Sequence, residues 1–218
     1  MKKLTLIIVL SMLVFSACNQ ELITGRGKIT TTTKTLTSFQ KLEIIGSCDV
    51  EFYNSTEAYA EISDYENLLP YLYVEVEGNT LIIKTKDNVG LIGSKAKVKV
   101  FIPWDLTAVS ISGSGDIDIN GLFPTLSQYN ITGSGDIDAT VNGTAPQIDI
   151  HISGSGDVDL LKINAARVNC SITGSGDCKV WAGETLHVSI SGSGDVYYKG
   201  TPIISTSITG SGNVIHIE

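Results

Sequence analysis

The four residues Gly113-Ser114-Gly115-Asp116 return at 133–136, 154–157, 174–177 and 192–195, and a sixth copy, ending in Asn213, occupies 210–213. From first glycine to first glycine the intervals are 20, 21, 20, 18 and 18 residues. A fixed period of this size is the signature of a solenoid, and it constrains the fold before any other feature is considered. A degenerate copy, Gly46-Ser47-Cys48-Asp49, stands far upstream in the same kind of frame.

Parity around the motif gives each repeat its shape. From Val109 through Ile119 the odd positions are apolar or glycine and the even ones are Ser or Asp, which is the alternation of a half-buried strand. The same pattern surrounds every later copy, for example Tyr129 and Ile131 before the corner and Ile137 and Ala139 after it. Each repeat therefore reads as strand, glycine corner, strand. Both glycines fall on inward positions, so either the bend is too tight for an inward Cβ or a glycine needs positive φ.

A unit of about 20 residues cannot bury its own apolar face, and stacking identical units solves that problem together with the pairing of the strands. Successive coils then pair in parallel at ~4.8 Å. A leucine-rich repeat needs a leucine/asparagine pattern that is absent, and a propeller blade needs about twice this period. The expected fold is all-β, a single parallel β-helix with coils of about 18–21 residues and Gly-Ser-Gly-Asp corners.

The reiterated Gly-Ser-Gly-Asp with its Ile/Val-rich flanks, the spaced copy at Gly46, and Tyr197-Tyr198-Lys199-Gly200-Thr201-Pro202 before the last Gly-Ser-Gly resemble the bacterial family called "putative auto-transporter adhesin, head GIN domain". The resemblance covers roughly residues 38–218. It implies a single right-handed β-helix and an envelope location, and its name points to adhesion.

The N-terminus has Met1-Lys2-Lys3, an apolar run over 4–15, and Phe15-Ser16-Ala17-Cys18. The run is too short for a permanent membrane helix and reads as a secretory signal. Small residues before a cysteine resemble a bacterial lipobox, so residues 1–18 are expected to be a lipoprotein signal peptide and Cys18 the lipidated N-terminus of the mature chain. Ordinary cleavage near Ala17 with a free Cys18 is the alternative. Residues 19–37 are expected to form a tether and N-terminal cap region, and 38–218 the β-helix domain. With a formal net charge of −8 and only two arginines, Arg26 and Arg167, the chain lacks the basic patch a nucleic-acid partner requires.

Residues 28–110 are less regular and are expected to form early, uneven coils. Asp64 is expected to cap one helical turn stopped by Pro70. The stretches 72–76 and 81–84, on either side of Gly78-Asn79, suit a hairpin or two sides of one coil. Residues 29–37 or the short helix would cover the open end of the solenoid. At the other end, the strand around Val214 is either an exposed edge blunted by His216 and Glu218 or is covered by the N-terminal segment or another molecule, which would allow a homo-oligomer through the C-terminal edge.

Asp116, Asp136, Asp157, Asp177 and Asp195 occupy one place in successive coils, and Asp118, Asp138 and Asp159 add a second column. Carboxylates ~5 Å apart repel by about 1 kcal/mol even in water, so something must offset the repulsion. A cation ladder of calcium on oxygen ligands is one reading. A structural corner, with each Asp accepting backbone N–H bonds at its own turn, is the favoured one, and Asn213 in the last copy agrees with it. No metal, cofactor or catalytic residue is assigned. His151, His187 and His216 fall at different repeat positions with no partner at catalytic spacing, which argues against an enzyme. Cys170 and Cys178 share inward parity across one corner; buried free thiols are expected for them and for Cys48, and a Cys170–Cys178 bridge stays open. Trp104, Trp181, Tyr53, Tyr59, Tyr197 and Tyr198 offer aromatic material for stacking on sugars. The expected function is a non-catalytic adhesion or glycan-binding module, lipid-anchored in the cell envelope at the outer membrane. A self-assembling envelope scaffold is the alternative, and a polysaccharide-processing enzyme comes after it.

Overall fold

A computed structural model describes residues 20–218; residues 1–19, with the expected leader and Cys18, lie outside the described residues. In chain order the strands are β1 (Glu21–Thr24), β2 (Ile29–Thr35), β3 (Lys41–Gly46), β4 (Asp49–Asn54), β5 (Tyr59–Tyr65), β6 (Leu72–Glu77), β7 (Thr80–Thr85), β8 (Val89–Ile92), β9 (Lys97–Ile102), β10 (Ala108–Gly113), β11 (Ile117–Ile119), β12 (Gln128–Gly133), β13 (Ile137–Ala139), β14 (Gly143–Gly154), β15 (Val158–Gly174), β16 (Cys178–Gly192), β17 (Val196–Lys199), β18 (Ile203–Gly210) and β19 (Val214–His216).

The strand before each corner pairs in parallel with its counterparts, in the stacking order β7, β3, β10, β12, β14, β15, β16, β18. The strand after each corner does the same in the order β9, β4, β11, β13, β15, β16, β17, β19. The expected parallel β-helix is therefore present, with β14, β15 and β16 long enough to supply a third side in the later coils. Register keeps inward parity in every layer. Ile83, Ile44, Ile111, Ile131, Ile152, Ile172 and Ile190 stack one above another, each at most 2% exposed. Across the corner Val98, Val50, Ile117, Ile137, Val158, Cys178 and Val196 form a second buried column. Burying each Ile contributes roughly 1.5–3 kcal/mol relative to leaving it exposed. One continuous core results.

The layers are not in chain order at the start. The layer of β3 and β4 lies between the β7/β9 layer and the β10/β11 layer, so the chain makes its second layer first, then builds the outer one and returns. On its way it lays β6 antiparallel on β7 and β5 antiparallel on β9, with β2 antiparallel on β5. The 72–84 stretch is thus a hairpin, turning at Gly78 with φ +60°. A short parallel ribbon, β1 with β8, extends beside this end, so much of the segment expected as tether and cap is paired strand. The helical turn expected from Asp64 is absent. Asp64 lies inside β5 and is fully buried, where its carboxylate accepts bonds from the Ser94 hydroxyl (2.6 Å) and the Lys95 N–H (2.8 Å), with a 3₁₀ turn following only at Leu69–Tyr71. A buried carboxylate in a strand, with donors arriving from a distant loop, has no local sequence signal to separate it from a helix cap.

Candidate functional site

The corners come first, because they set the outer surface. At the first glycine φ is positive, +144° at Gly113 and +137° at Gly154. The second glycine fails for a different reason: a Cβ on Gly156 would lie 2.1 Å from the carbonyl oxygen of Gly135, one coil away. The first glycine meets this obstacle too, since a Cβ on Gly154 would lie 2.1 Å from the Gly133 carbonyl oxygen, so both expected reasons hold at the first position and the neighbouring coil's backbone alone at the second. That close approach allows Ser155 N–H to bond the Gly133 carbonyl at 2.8 Å and Ser175 N–H the Gly154 carbonyl at 2.8 Å.

The aspartates extend the same stitching. Asp116 Oδ1 accepts the Asp136 N–H (2.9 Å), Asp136 that of Asp157 (2.7 Å), Asp157 that of Asp177 (2.7 Å), and Asp177 that of Asp195 (2.8 Å). Asp195 Oδ1 accepts both the backbone N–H (2.7 Å) and the amide (3.0 Å) of Asn213. Each carboxylate accepts a backbone N–H, and the donor sits in the next coil and not at the same corner. Each bond is charge-assisted and holds two layers together. Crowding remains: burial, then the charges of Asp157 and Asp116, raise Asp136 against the pull of the Asp157 N–H. Burial followed by the charges of Asp159 and Asp118 raises Asp138. At one end of the second column Glu51 escapes this. Burial alone would raise it, but Lys97, the Tyr53 hydroxyl (2.6 Å) and Lys99 (3.2 Å) hold it at about 2. At the other end Lys179 pairs with Asp159 at 3.5 Å. Among the described residues no group of three or more His, Cys, Asp or Glu is placed to hold a metal ion.

The other outer face carries a groove of about 610 Å³ that crosses β12, β14, β15, β16 and β18. Two outward columns line it. One runs Gln128, Asp149, Asn169, His187, Ser205, and the other Asn130, His151, Ser171, Ser189, Ser207. All ten side chains can form hydrogen bonds, and none is apolar. Asp149 is pinned by the amides of Asn169 (2.6 Å) and Gln147 (3.0 Å). His151 and His187 are exposed, and both belong to this groove. Sequence reasoning missed it. The signal was available: five and three residues before each corner glycine, outward positions vary while the rest of the frame repeats.

The aromatic residues expected to stack on sugars lie elsewhere. Trp104 packs edge-on against Phe39 at 5.8 Å, and Tyr53 and Tyr59 sandwich Phe101 at 5.1 and 4.6 Å. Tyr198 leans on His216 at 5.0 Å, and Trp181 stands half-exposed on the third side. Cys48, Cys170 and Cys178 are free and buried; burial pushes Cys48 up to about 12, and a hydrogen bond that the Cys178 thiol donates to the Cys170 sulfur, reinforced by burial, raises Cys178.

A family model described as "Putative auto-transporter adhesin, head GIN domain" matches residues 38–202, which takes in every layer except the last. The chain belongs to this family. Among solved structures this head GIN domain resembles a "putative adhesin" from Bacteroides fragilis, with 23% identity, a TM-score of 0.67, and 89% of this chain and 100% of the other covered. It also resembles a "putative lipid binding protein" from Parabacteroides distasonis, at 26% identity and a TM-score of 0.58 over 91% and 100% of the two chains. A "putative adhesin" from Parabacteroides merdae matches at 20% identity, a TM-score of 0.57 and the same coverage. At 20% and 23% identity the likeness is one of fold. No curated protein matches the chain. Membership points to a cell-surface or envelope protein with an adhesin-like, non-enzymatic role.

Proposed function

We propose that this head GIN domain is a lipid-anchored, non-catalytic binding module whose ligand is an extended, neutral, polyhydroxylated chain such as a glycan strand. The observation that carries this reading is the groove over β12–β18: two columns of amide, hydroxyl and imidazole groups with one pinned carboxylate. The columns repeat at the coil spacing of ~4.8 Å along the axis, so a linear ligand lying along the axis meets the same kind of hydrogen-bonding group at each step. An acyl chain, the ligand suggested by the lipid-binding neighbour's name, would meet mainly the two polar columns, because Ile150, Cys170 and Val188 between them are buried, each only 3% exposed. The aspartate ladder on the neighbouring face serves the stack, since each carboxylate already accepts an N–H from the next layer. The anchor is Cys18, three residues before β1 begins at Glu21; that span is at most ~11 Å when extended, which would hold the first layers close to the outer membrane.

The test is a glycan and matrix-protein array probed with the chain and with Asn169→Ala and His187→Ala, each with calcium and with chelator. The reading expects saturable glycan binding that both variants weaken and chelator leaves alone. A blank array from folded protein, or binding indifferent to both variants, contradicts it. One observation favours a second reading, a structural envelope scaffold: the outermost strand β18 is exposed along its whole length.

A further inference from the structure

We propose that two copies of the chain join end to end through β18, in antiparallel pairing about a twofold axis at Thr206. The inference does not depend on glycan binding, although Ser205 and Ser207 of β18 are also the groove's last layer. β18 pairs with β16 on one side, and no described residue pairs its other side. Its inward positions are those of a core. Ile204 and Ile208 align with Leu186 and Ile190 of the layer beneath, which are 0% and 2% exposed, yet Ile204 and Ile208 are 39% and 41% exposed. The last layer of the hydrophobic stack faces water.

Unpaired edges template further pairing unless they are blunted by charge, proline, bulges or cover. Residues 203–210 hold no charged residue and no proline, and their register with β16 is unbroken. Even the acid column stops one layer short, because Asn213 replaces the aspartate at this corner. The edge is therefore neutral as well as bare.

Parity then selects the occupant. An antiparallel partner centred on Thr206 sets Ile204 against Ile208 of the partner subunit, and Thr206 against Thr206 of the partner subunit. Inward residues stay inward, and Ser205 meets Ser207 of the partner subunit on the outer face. Moving the centre by half a residue would place inward side chains opposite outward ones. Directly opposed side chains on one face are the unit that stabilises such a pairing. A head-to-tail stack would need a bare strand at the other end, but β7 and β9 are covered there by β6 and β5. The outer strands of that cap carry Lys34, Glu75 and Glu77, with Lys34 and Glu75 paired across it. The assembly thus closes as a dimer and does not extend into a filament.

The test is disulfide trapping of the mature lipoprotein in its membrane. Directly opposed residues of an antiparallel pair have Cα atoms ~4.5–5.5 Å apart, within the range a disulfide spans, while diagonal neighbours at ~7–8 Å fall outside it. Thr206→Cys should therefore cross-link to itself under mild oxidation, and Ser205→Cys should do so only when combined with Ser207→Cys. Among the described residues the thiols of Cys48, Cys170 and Cys178 are buried and serve as a silent background. No cross-link from Thr206→Cys, or equal cross-linking from Ser205→Cys alone, overturns the proposal. A second measurement keeps it exposed should Thr206→Cys misfold: the wild-type chain should have a dimer's mass at micromolar concentration and Ile208→Lys a monomer's mass with the melting transition retained. A wild-type monomer contradicts the proposal outright.

Discussion

At the N-terminal end the outermost layer, β7 and β9, is covered by antiparallel strands from its own chain, whereas at the C-terminal end β18 and β19 each pair on one side only. Both ends expose the same hazard, a parallel layer with unpaired backbone groups and the last apolar side chains of the stack. The difference lies in what the sequence spends on the problem. Before the regular repeats begin, residues 55–79 leave the coil path and turn back, and Asp64 fixes their return by holding Ser94 and Lys95. After the last corner only one short strand follows within this chain. A cap built by a chain on itself is independent of concentration; an end left bare draws its cover from another molecule.

The comparison can be broken most severely in the middle that both ends share. Gly154→Ala would place a Cβ 2.1 Å from the Gly133 carbonyl at a φ of +137°, and a loss of at least about 4 kcal/mol is expected, beyond the ordinary range for single substitutions; a thermal or denaturant melt within about 1 kcal/mol of wild type would remove the close-stacking account of the corner. Next comes the cap. Asp64→Ala removes the buried acceptor of the half-buried Ser94 hydroxyl and of the Lys95 N–H and should cost about 1–3 kcal/mol, with raised hydrogen exchange in β5 and the 93–96 loop and little change in β18. Equal loosening at both ends would show that the cap is not a separate device.

Glu51 sharpens the comparison through pH. Its folded value, about 2, lies below its usual 4.5, so its contribution is complete above about 4.5 and is lost as the pH falls toward about 2. Lys97 and Lys99 are each nearly half exposed and water screens them, which limits the contribution to about 1–2 kcal/mol. Glu51→Gln should destabilise the chain by that amount at neutral pH and flatten the stability profile between pH 4.5 and 2. An unchanged slope in that window would mean that another carboxylate carries the acid dependence. The smallest effect belongs to the ladder: Asp157→Asn keeps an acceptor for the Asp177 N–H and relieves repulsion, so its melting free energy should stay within about 0.5 kcal/mol of wild type, while Asp157→Ala should cost about 1–2 kcal/mol. A large, saturable rise in Tm with micromolar calcium, abolished in both variants, would turn the ladder from stitching into a cation site.

The regular coils were legible in the sequence because every layer must present the same inward side chains, and Ile111, Ile131, Ile152, Ile172 and Ile190 mark that demand at each period. The glycines were legible as positions without room for a Cβ, but the Gly46 copy carries no local mark of its place in the stack, so the outer position of β7 and β9 could not be read. Layer order is set by which strand edges meet, a long-range matter. The aspartates were recognised as acceptors, yet their donors lie a whole coil away along the chain, 20 or so residues beyond the turn that local chemistry describes. The groove escaped notice for the opposite reason. Its residues are where the repeat varies, and attention to a period favours what recurs over what differs.

The measurement that tests the account most directly is hydrogen exchange of the mature chain at high and low protein concentration. The account predicts that amides of β5, β6 and β7 are protected equally at both, whereas those of β18 are protected at high concentration and exchange several-fold faster on dilution. Protection of β18 that does not change with concentration, or protection of β5 and β6 that does, would contradict the central claim that one end is closed by its own chain and the other by a second copy.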